Sequence, residues 1–175
     1  ENDLHDRIEF WWNDVSTLTD KRGSMLEIGC AHGGFLATAR FRGFGRVTGV
    51  EPDPKTCEYA RRKFDLPNIY SGLWPITMPD RPYDVICGFD VLEHFSDPLS
   101  AMAYVRLCLP KGGLYMFQTP CYRGETNWDQ FKPGEHLFLY DEKSIAKLMK
   151  KVGLTCNIKP AVFWHDMVVY GTLDA

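Results

Sequence analysis

Two groups of residues in this 175-residue chain have types and spacing that suit chemistry. The first is the run Glu27-Ile28-Gly29-Cys30-Ala31-His32-Gly33-Gly34, with Glu51 about 20 residues further on. Glycines let a backbone turn sharply and approach a ligand closely. A helix that starts after them offers free N–H groups to a polar or anionic ligand group. An acid at the end of the next strand is placed to accept hydrogen bonds from ribose hydroxyls. Together these features describe a nucleoside site. The second group is histidines. His136 lies in Glu135-His136-Leu137-Phe138-Leu139-Tyr140, His94 follows Leu92-Glu93, and His165 precedes Asp166. A neutral imidazole suits general-base work near pH 7. His136 is the first candidate catalytic residue and His94 the second. A histidine that only fixes a loop by a backbone hydrogen bond is the competing reading for each.

The elements that must position these groups alternate. Residues 4–15 put Leu4, Ile8, Trp11, Trp12 and Val15 on one helical face. Buried strands are expected at 25–30, 46–51, 68–71, 83–89 and 114–119. Helices are expected from Gly34 to Arg42, from Asp53-Pro54 onward, over 97–109 with Leu99, Met102, Ala103 and Leu107 inward, and after Asp141. Two last strands fall near 154–160 and 166–172. Alternation of this kind implies parallel pairing with right-handed crossovers, and the short final connection forces an antiparallel pair. The expected fold is α/β: a doubly wound, Rossmann-like seven-stranded sheet, mostly parallel, with one antiparallel hairpin at its C-terminal edge and helices on both faces. We expect one domain over 1–175, with an N-terminal helix over 1–18 and a long irregular loop over 120–136. A loop of that length is usually functional or mobile.

Composition narrows the classes. The formal net charge of −3 lacks the basic excess of a general nucleic-acid-binding surface, and no apolar run is long enough to span a membrane. Cys30, Cys57, Cys87, Cys108, Cys121 and Cys156 form no C-x-x-C pair. They read as reduced thiols of a cytoplasmic protein, with pairing of Cys121 and Cys156 left open. No metal cluster is evident. A chain beginning at Glu1 is expected to be processed or a piece of a longer one.

Two nucleoside cofactors compete for the glycine loop. A nicotinamide dinucleotide asks for G-x-G-x-x-G, which Gly29, Ala31 and Gly34 meet only in part. Glu27, just before the first glycine, would repel a pyrophosphate but suits the cationic amino group of S-adenosylmethionine. The chain resembles the class I S-adenosylmethionine-dependent methyltransferases of small-molecule type over nearly all its length. The resemblance rests on Glu27 to Gly33, on Val50-Glu51-Pro52-Asp53, on Tyr83 to Ile86 with Asp90-Val91-Leu92-Glu93-His94, and on Leu109-Pro110-Lys111-Gly112-Gly113.

The resemblance implies that Gly29, Cys30, Ala31 and Gly33 line the methionine part of the cofactor, with Glu27 nearby. It also implies that Glu51 holds the ribose, Pro52 touches the adenine, and Phe89 and Asp90 sit at the end of the fourth strand. The family often places an acid after the third strand, where this chain has Gly72-Leu73-Trp74-Pro75; Leu73 and Trp74 are expected to hold the adenine instead. Phe10, Trp11 and Trp12 are candidate covers, Tyr122, Trp128 and Phe131 a candidate lid, and Phe163 and Trp164 a further wall. The acceptor is expected to be a small molecule, a sugar or a carrier-bound metabolite, methylated on oxygen first, with no nucleic acid and with a homodimer possible. The rival functions are a non-catalytic cofactor-binding module and an NAD-dependent oxidoreductase.

Overall fold

The computed structural model describes residues 2–77, 79, 82–125, 128–161 and 165–174. The proposed wall of Phe163 and Trp164 lies outside the described residues. In chain order the elements are α1 (Asn2–Leu18), β1 (Ser24–Ile28), α2 (Gly34–Phe41), β2 (Arg46–Glu51), α3 (Pro54–Phe64), β3 (Ile69–Ser71), β4 (Val85–Phe89), a single 3-10 turn (Leu92–His94), α4 (Pro98–Cys108), β5 (Leu114–Pro120), α5 (Glu142–Val152), β6 (Asn157–Pro160) and β7 (Asp166–Thr172).

The seven strands form one sheet in the order β3-β2-β1-β4-β5-β7-β6. Pairing is parallel from β3 through β5, and β7 runs antiparallel between β5 and β6. The last strand of the chain therefore fills the inner place of the edge pair. Strands β4 and β5 are buried along their whole length, as expected where helices cover both faces. One face packs on α1, α2 and α3 through Trp11, Val15, Leu36 and Cys57. The other packs on α4 and α5 through Met102, Val105, Ile145 and Met149.

Helix starts follow local chemistry. Asp53, Asp97 and Asp141 cap α3, α4 and α5 by accepting backbone N–H bonds, and a proline fills the first turn of α3 and α4. One expected helix face is corrected. Leu99 and Leu107 of α4 are exposed, and Ala101, Met102, Val105 and Cys108 face the core. The row at 99, 103 and 107 is as regular as the row at 101, 105 and 108, so helical period alone does not choose between them; packing of α4 against the sheet and α5 buries the second. All six cysteines are free thiols, and Cys121 is buried, so no Cys121–Cys156 bridge forms. Among the described residues no helix is long and apolar enough to cross a membrane.

Strand order reverses between β1 and β4, the switch point at which open α/β sheets bind ligands beyond their carboxyl ends. Both candidate groups of residues converge there.

Candidate active site at the carboxyl ends of β1, β2 and β4

The glycine loop leaves β1 and bends at once. Gly29 takes a positive φ of 72°, and a Cβ there would lie 2.3 Å from Val91 Cγ1, so a side chain has neither the conformation nor the room. Ala31 also has positive φ, and Gly33, left-handed, caps α2 without a side-chain bond. Glu51 braces the turn. Its Oε2 accepts the Ala31 N–H at 3.1 Å and its Oε1 the Asp53 N–H at 3.0 Å. The carboxylate thus stands beside the loop, at the end of β2, with its position fixed by two backbone donors.

A cleft of about 660 Å³ opens beside this loop. Glu27, Gly29, Cys30, Ala31 and Phe89 line it, with Leu4, Ile8 and Trp11 of α1 as cover. Trp11 stacks on Phe89 with ring centroids 3.9 Å apart. Glu27 is 4% exposed, and its Oε2 has no hydrogen-bond partner among the described residues. Burial, reinforced by the Glu51 charge, raises its carboxyl well above the usual carboxylate range. Burial likewise holds the Cys30 thiol far above its ordinary range, which makes it a packing group and no nucleophile.

The remaining expected cofactor residues sit elsewhere. Gly33 packs toward Leu66 and Ala60, and Pro52 is exposed next to Glu51. Leu73 and Trp74 line a separate groove with Pro75 and Phe95 and do not border the glycine-loop cleft. Trp74 is 7% exposed in the core beneath α4, where its indole N–H donates to the Ala101 carbonyl at 3.0 Å. A buried indole takes such a partner, and that bond turns the ring inward. Trp12 packs edge-on to Phe44 rather than over the cleft.

Asp90 points the other way from Phe89, into a second pocket of about 380 Å³. Its backbone has positive φ. Its carboxylate pairs with Arg7 of α1 and accepts Gln118 Nε2–H at 2.9 Å. Gln118 also bonds Asp166 and, through its Oε1, the Trp11 indole N–H. This side chain ties β4, β5, β7 and α1 together behind both clefts. Sequence reasoning passed over it; the available signal was an amide directly after the apolar run Leu114 to Phe117 in a buried strand.

His94 and His136 both line the second pocket, with Glu93, His165 and Asp166. The long loop is held over the 3-10 turn because the N–H groups of Leu137 and Phe138 both donate to the Glu93 carbonyl. The His94 and His136 rings meet edge to face at 4.9 Å. His136 Nδ1 lies 2.8 Å from the Gln130 carbonyl, which makes Nδ1 the protonated nitrogen and leaves the Nε2 lone pair for the pocket. Burial lowers the His136 pKa. Burial raises Glu93 to about 7 and Asp166 to about 6. Tyr122 and Trp128 pack on each other, Phe131 is exposed, and none of the three lines this pocket.

A family model described as a methyltransferase domain matches residues 3–157. The chain belongs to the methyltransferase-domain family. The class I resemblance and its doubly wound fold are thereby borne out, and S-adenosylmethionine is the cofactor of this class. The NAD alternative falls with that finding. The tRNA U34 carboxymethyltransferase of Pseudomonas aeruginosa is 26% identical over 128 residues, which cover 69% of this chain and 40% of that protein. The matched stretch thus covers only about two fifths of the length of the curated relatives.

The sugar N-methyltransferase KedS8 from Streptoalloteichus superposes with a TM-score of 0.81 at 16% identity, over 97% of this chain and 87% of that one. CalS10, an amino pentose methyltransferase from Micromonospora echinaspora, gives 0.77 at 14% identity over 97% and 91%. At such identities the likeness is one of fold.

The methyltransferase domain here fits its cofactor on its own geometry. Glu27 Oε2 is a buried acceptor without a partner, at the wall of a cleft floored by a glycine turn. A buried acceptor of this kind suits a cationic amino group, which S-adenosylmethionine carries.

A stability consequence follows. A carboxyl with a raised folded pKa binds its proton more tightly folded than unfolded. The stability this contributes to the cofactor-free fold is fully present below the unfolded pKa and is lost as pH rises through the folded value, above which ionised Glu27 weakens the fold. Glu27→Gln is expected to raise the melting temperature of the cofactor-free protein at pH 8, to flatten its pH dependence, and to weaken cofactor binding. Thermal melts across pH and a titration with S-adenosylhomocysteine check all three.

Proposed function

We propose that this protein transfers the methyl group of S-adenosylmethionine to a small polar acceptor, a sugar or carrier-bound sugar hydroxyl first and an amine second. The observation that carries the reading is that two neighbouring residues at the end of β4, Phe89 and Asp90, line two different clefts. One has the glycine turn and the unpartnered Glu27, and the other holds imidazoles and carboxyls. S-adenosylmethionine supplies, when bound, a sulfonium-activated methyl carbon that an acceptor lone pair displaces, leaving S-adenosylhomocysteine.

The chain's own residues would do the rest. Gly29, Cys30, Ala31 and Phe89 shape the methionine side of the cleft, Glu27 receives the amino group, and Glu51 holds the ribose hydroxyls, with Pro52 beside the adenine. Asp90 and Asp166 give the acceptor's hydroxyls hydrogen-bond partners. His136 Nε2 takes the acceptor proton as the new bond forms and later returns it to water; His94, with its Nδ1 against the Glu135 carbonyl, stands beside it as the second imidazole. Alignment supplies most of the acceleration in such an in-line displacement.

The second pocket carries Asp90, Glu93, Glu135 and Asp166 against Arg7 and Lys132. That balance disfavours a phosphate backbone and supports an uncharged or cationic acceptor. The free thiols suit the reducing cytoplasm.

The test is transfer of isotopically labelled methyl from S-adenosylmethionine to a panel of amino sugars, neutral sugars, phenols and tRNA, read by mass spectrometry. Labelling of a sugar or phenol is expected. Labelling of tRNA alone, or of nothing in a protein that binds the cofactor, would overturn the reading.

A further inference from the structure

We propose that Glu93, His94 and His136 form a site for one divalent transition-metal ion, Zn²⁺ first, on the wall of the acceptor pocket. One ligand atom from each lies within 4.8 Å of the other two. Two imidazole nitrogens and one carboxylate oxygen form a donor set that suits Zn²⁺, Fe²⁺ or Mn²⁺ rather than Ca²⁺ or Mg²⁺. Three protein ligands with a side open to a pocket is the pattern of a reactive site, not of a closed structural one.

Three further observations point to an ion. Glu93 is 2% exposed. Its Oε2 accepts the Thr119 hydroxyl at 2.8 Å, while its Oε1, 3.9 Å from His94 Nε2, has no hydrogen-bond partner among the described residues. A buried carboxylate oxygen without a donor has room for a partner, and a cation between it and His94 would supply one. Next, both histidines have Nδ1 at 2.8 Å from a backbone carbonyl, Glu135 for His94 and Gln130 for His136. That outer bond fixes the tautomer and orients the Nε2 lone pair, as it does for histidines that bind metals. Finally, the same loop is anchored to the Glu93 carbonyl by the Leu137 and Phe138 N–H groups, so the three ligands are held together before any ion arrives. Bonds of about 2.0 Å put tetrahedral ligand atoms about 3.3 Å apart, so ligand atoms spread over as much as 4.8 Å need to close by up to about 1.5 Å.

This inference rests on the acceptor pocket proposed above and refines it. An ion there would hold an acceptor oxygen beside Asp90 and Asp166. With the ion bound the His136 lone pair would be a ligand and the acceptor hydroxyl would lose its proton to water; in the metal-free protein the imidazole would keep its role as base.

The experiment uses the full chain, stripped with a chelator and dialysed. Zn²⁺ is titrated calorimetrically, and Co²⁺ is added for its visible spectrum. One ion per chain at micromolar affinity or tighter is expected, with intense cobalt bands and no sulfur-to-cobalt charge-transfer band. Glu93→Gln, which keeps a partner for Thr119, and His94→Gln and His136→Gln should each weaken binding at least 10-fold. His32→Gln, remote from the three ligands, should leave Zn²⁺ affinity unchanged.

No uptake, a thiolate band, or undiminished affinity in the His94→Gln/His136→Gln double variant overturns the proposal. S-adenosylhomocysteine is titrated into the same stripped sample. Its binding there without any metal uptake rejects the ion alone and leaves the methyltransferase reading intact.

Discussion

Glu51→Ala is expected to weaken S-adenosylhomocysteine binding about 100-fold. The carboxylate is fixed by the Ala31 and Asp53 N–H groups at the end of β2, and its remaining lone pairs are the ribose acceptors of the proposed site. A hydrogen bond to a charged group contributes about 1.5–3 kcal/mol, and loss of the bonds to the two ribose hydroxyls accounts for a change of this size. Glu51→Gln keeps the side chain's length and a carbonyl acceptor, so it should lose about tenfold. Calorimetric titration of both variants, with melting curves to show that each is folded, checks the ordering. Equal affinity in wild type and Glu51→Ala removes the residue from the site.

His136→Ala is expected to lower kcat by a factor of about 100 to 10,000. The S-adenosylhomocysteine affinity should stay within about twofold, because the imidazole lies in the second pocket and not in the glycine-loop cleft. The change also removes the bond to the Gln130 carbonyl. His136→Gln, which can still donate to that carbonyl but lacks a basic nitrogen, separates the two effects. Turnover restored by glutamine would mean that His136 only holds the loop. Turnover lost in both variants with unchanged cofactor affinity matches a role in the transfer step.

Much of this architecture was legible in the sequence because its signals are local. Strand β4 and the first four residues of β5 read as apolar runs because both faces of the sheet are covered. The caps at Asp53 and Asp141 lie next to the helices they start. The turn at Gly29 and the acid at Glu51 sit at strand ends, where an open sheet puts its ligands. What escaped depends on non-local packing. Trp74 follows β3, where the sequence suggests an adenine wall, but its indole finds a carbonyl on α4 and turns into the core. Gln118 looks like an ordinary polar end to β5 until β7 and α1 bring Asp166 and Trp11 to it. Glu93 and His136 belong to separate segments, which the bonds from Leu137 and Phe138 to the Glu93 carbonyl and from His94 to the Glu135 carbonyl bring together. The exposed Leu99 and Leu107 show that one apolar period can satisfy a helix pattern while a neighbouring one packs.

The central claim is that the cleft beside Gly29 and Glu27 binds the methyl donor. Isothermal titration of the folded wild-type chain with S-adenosylhomocysteine tests it most directly. One site per chain with micromolar affinity is the predicted result. A folded sample that gives no binding heat at any temperature tried, and no shift in melting temperature, would contradict it.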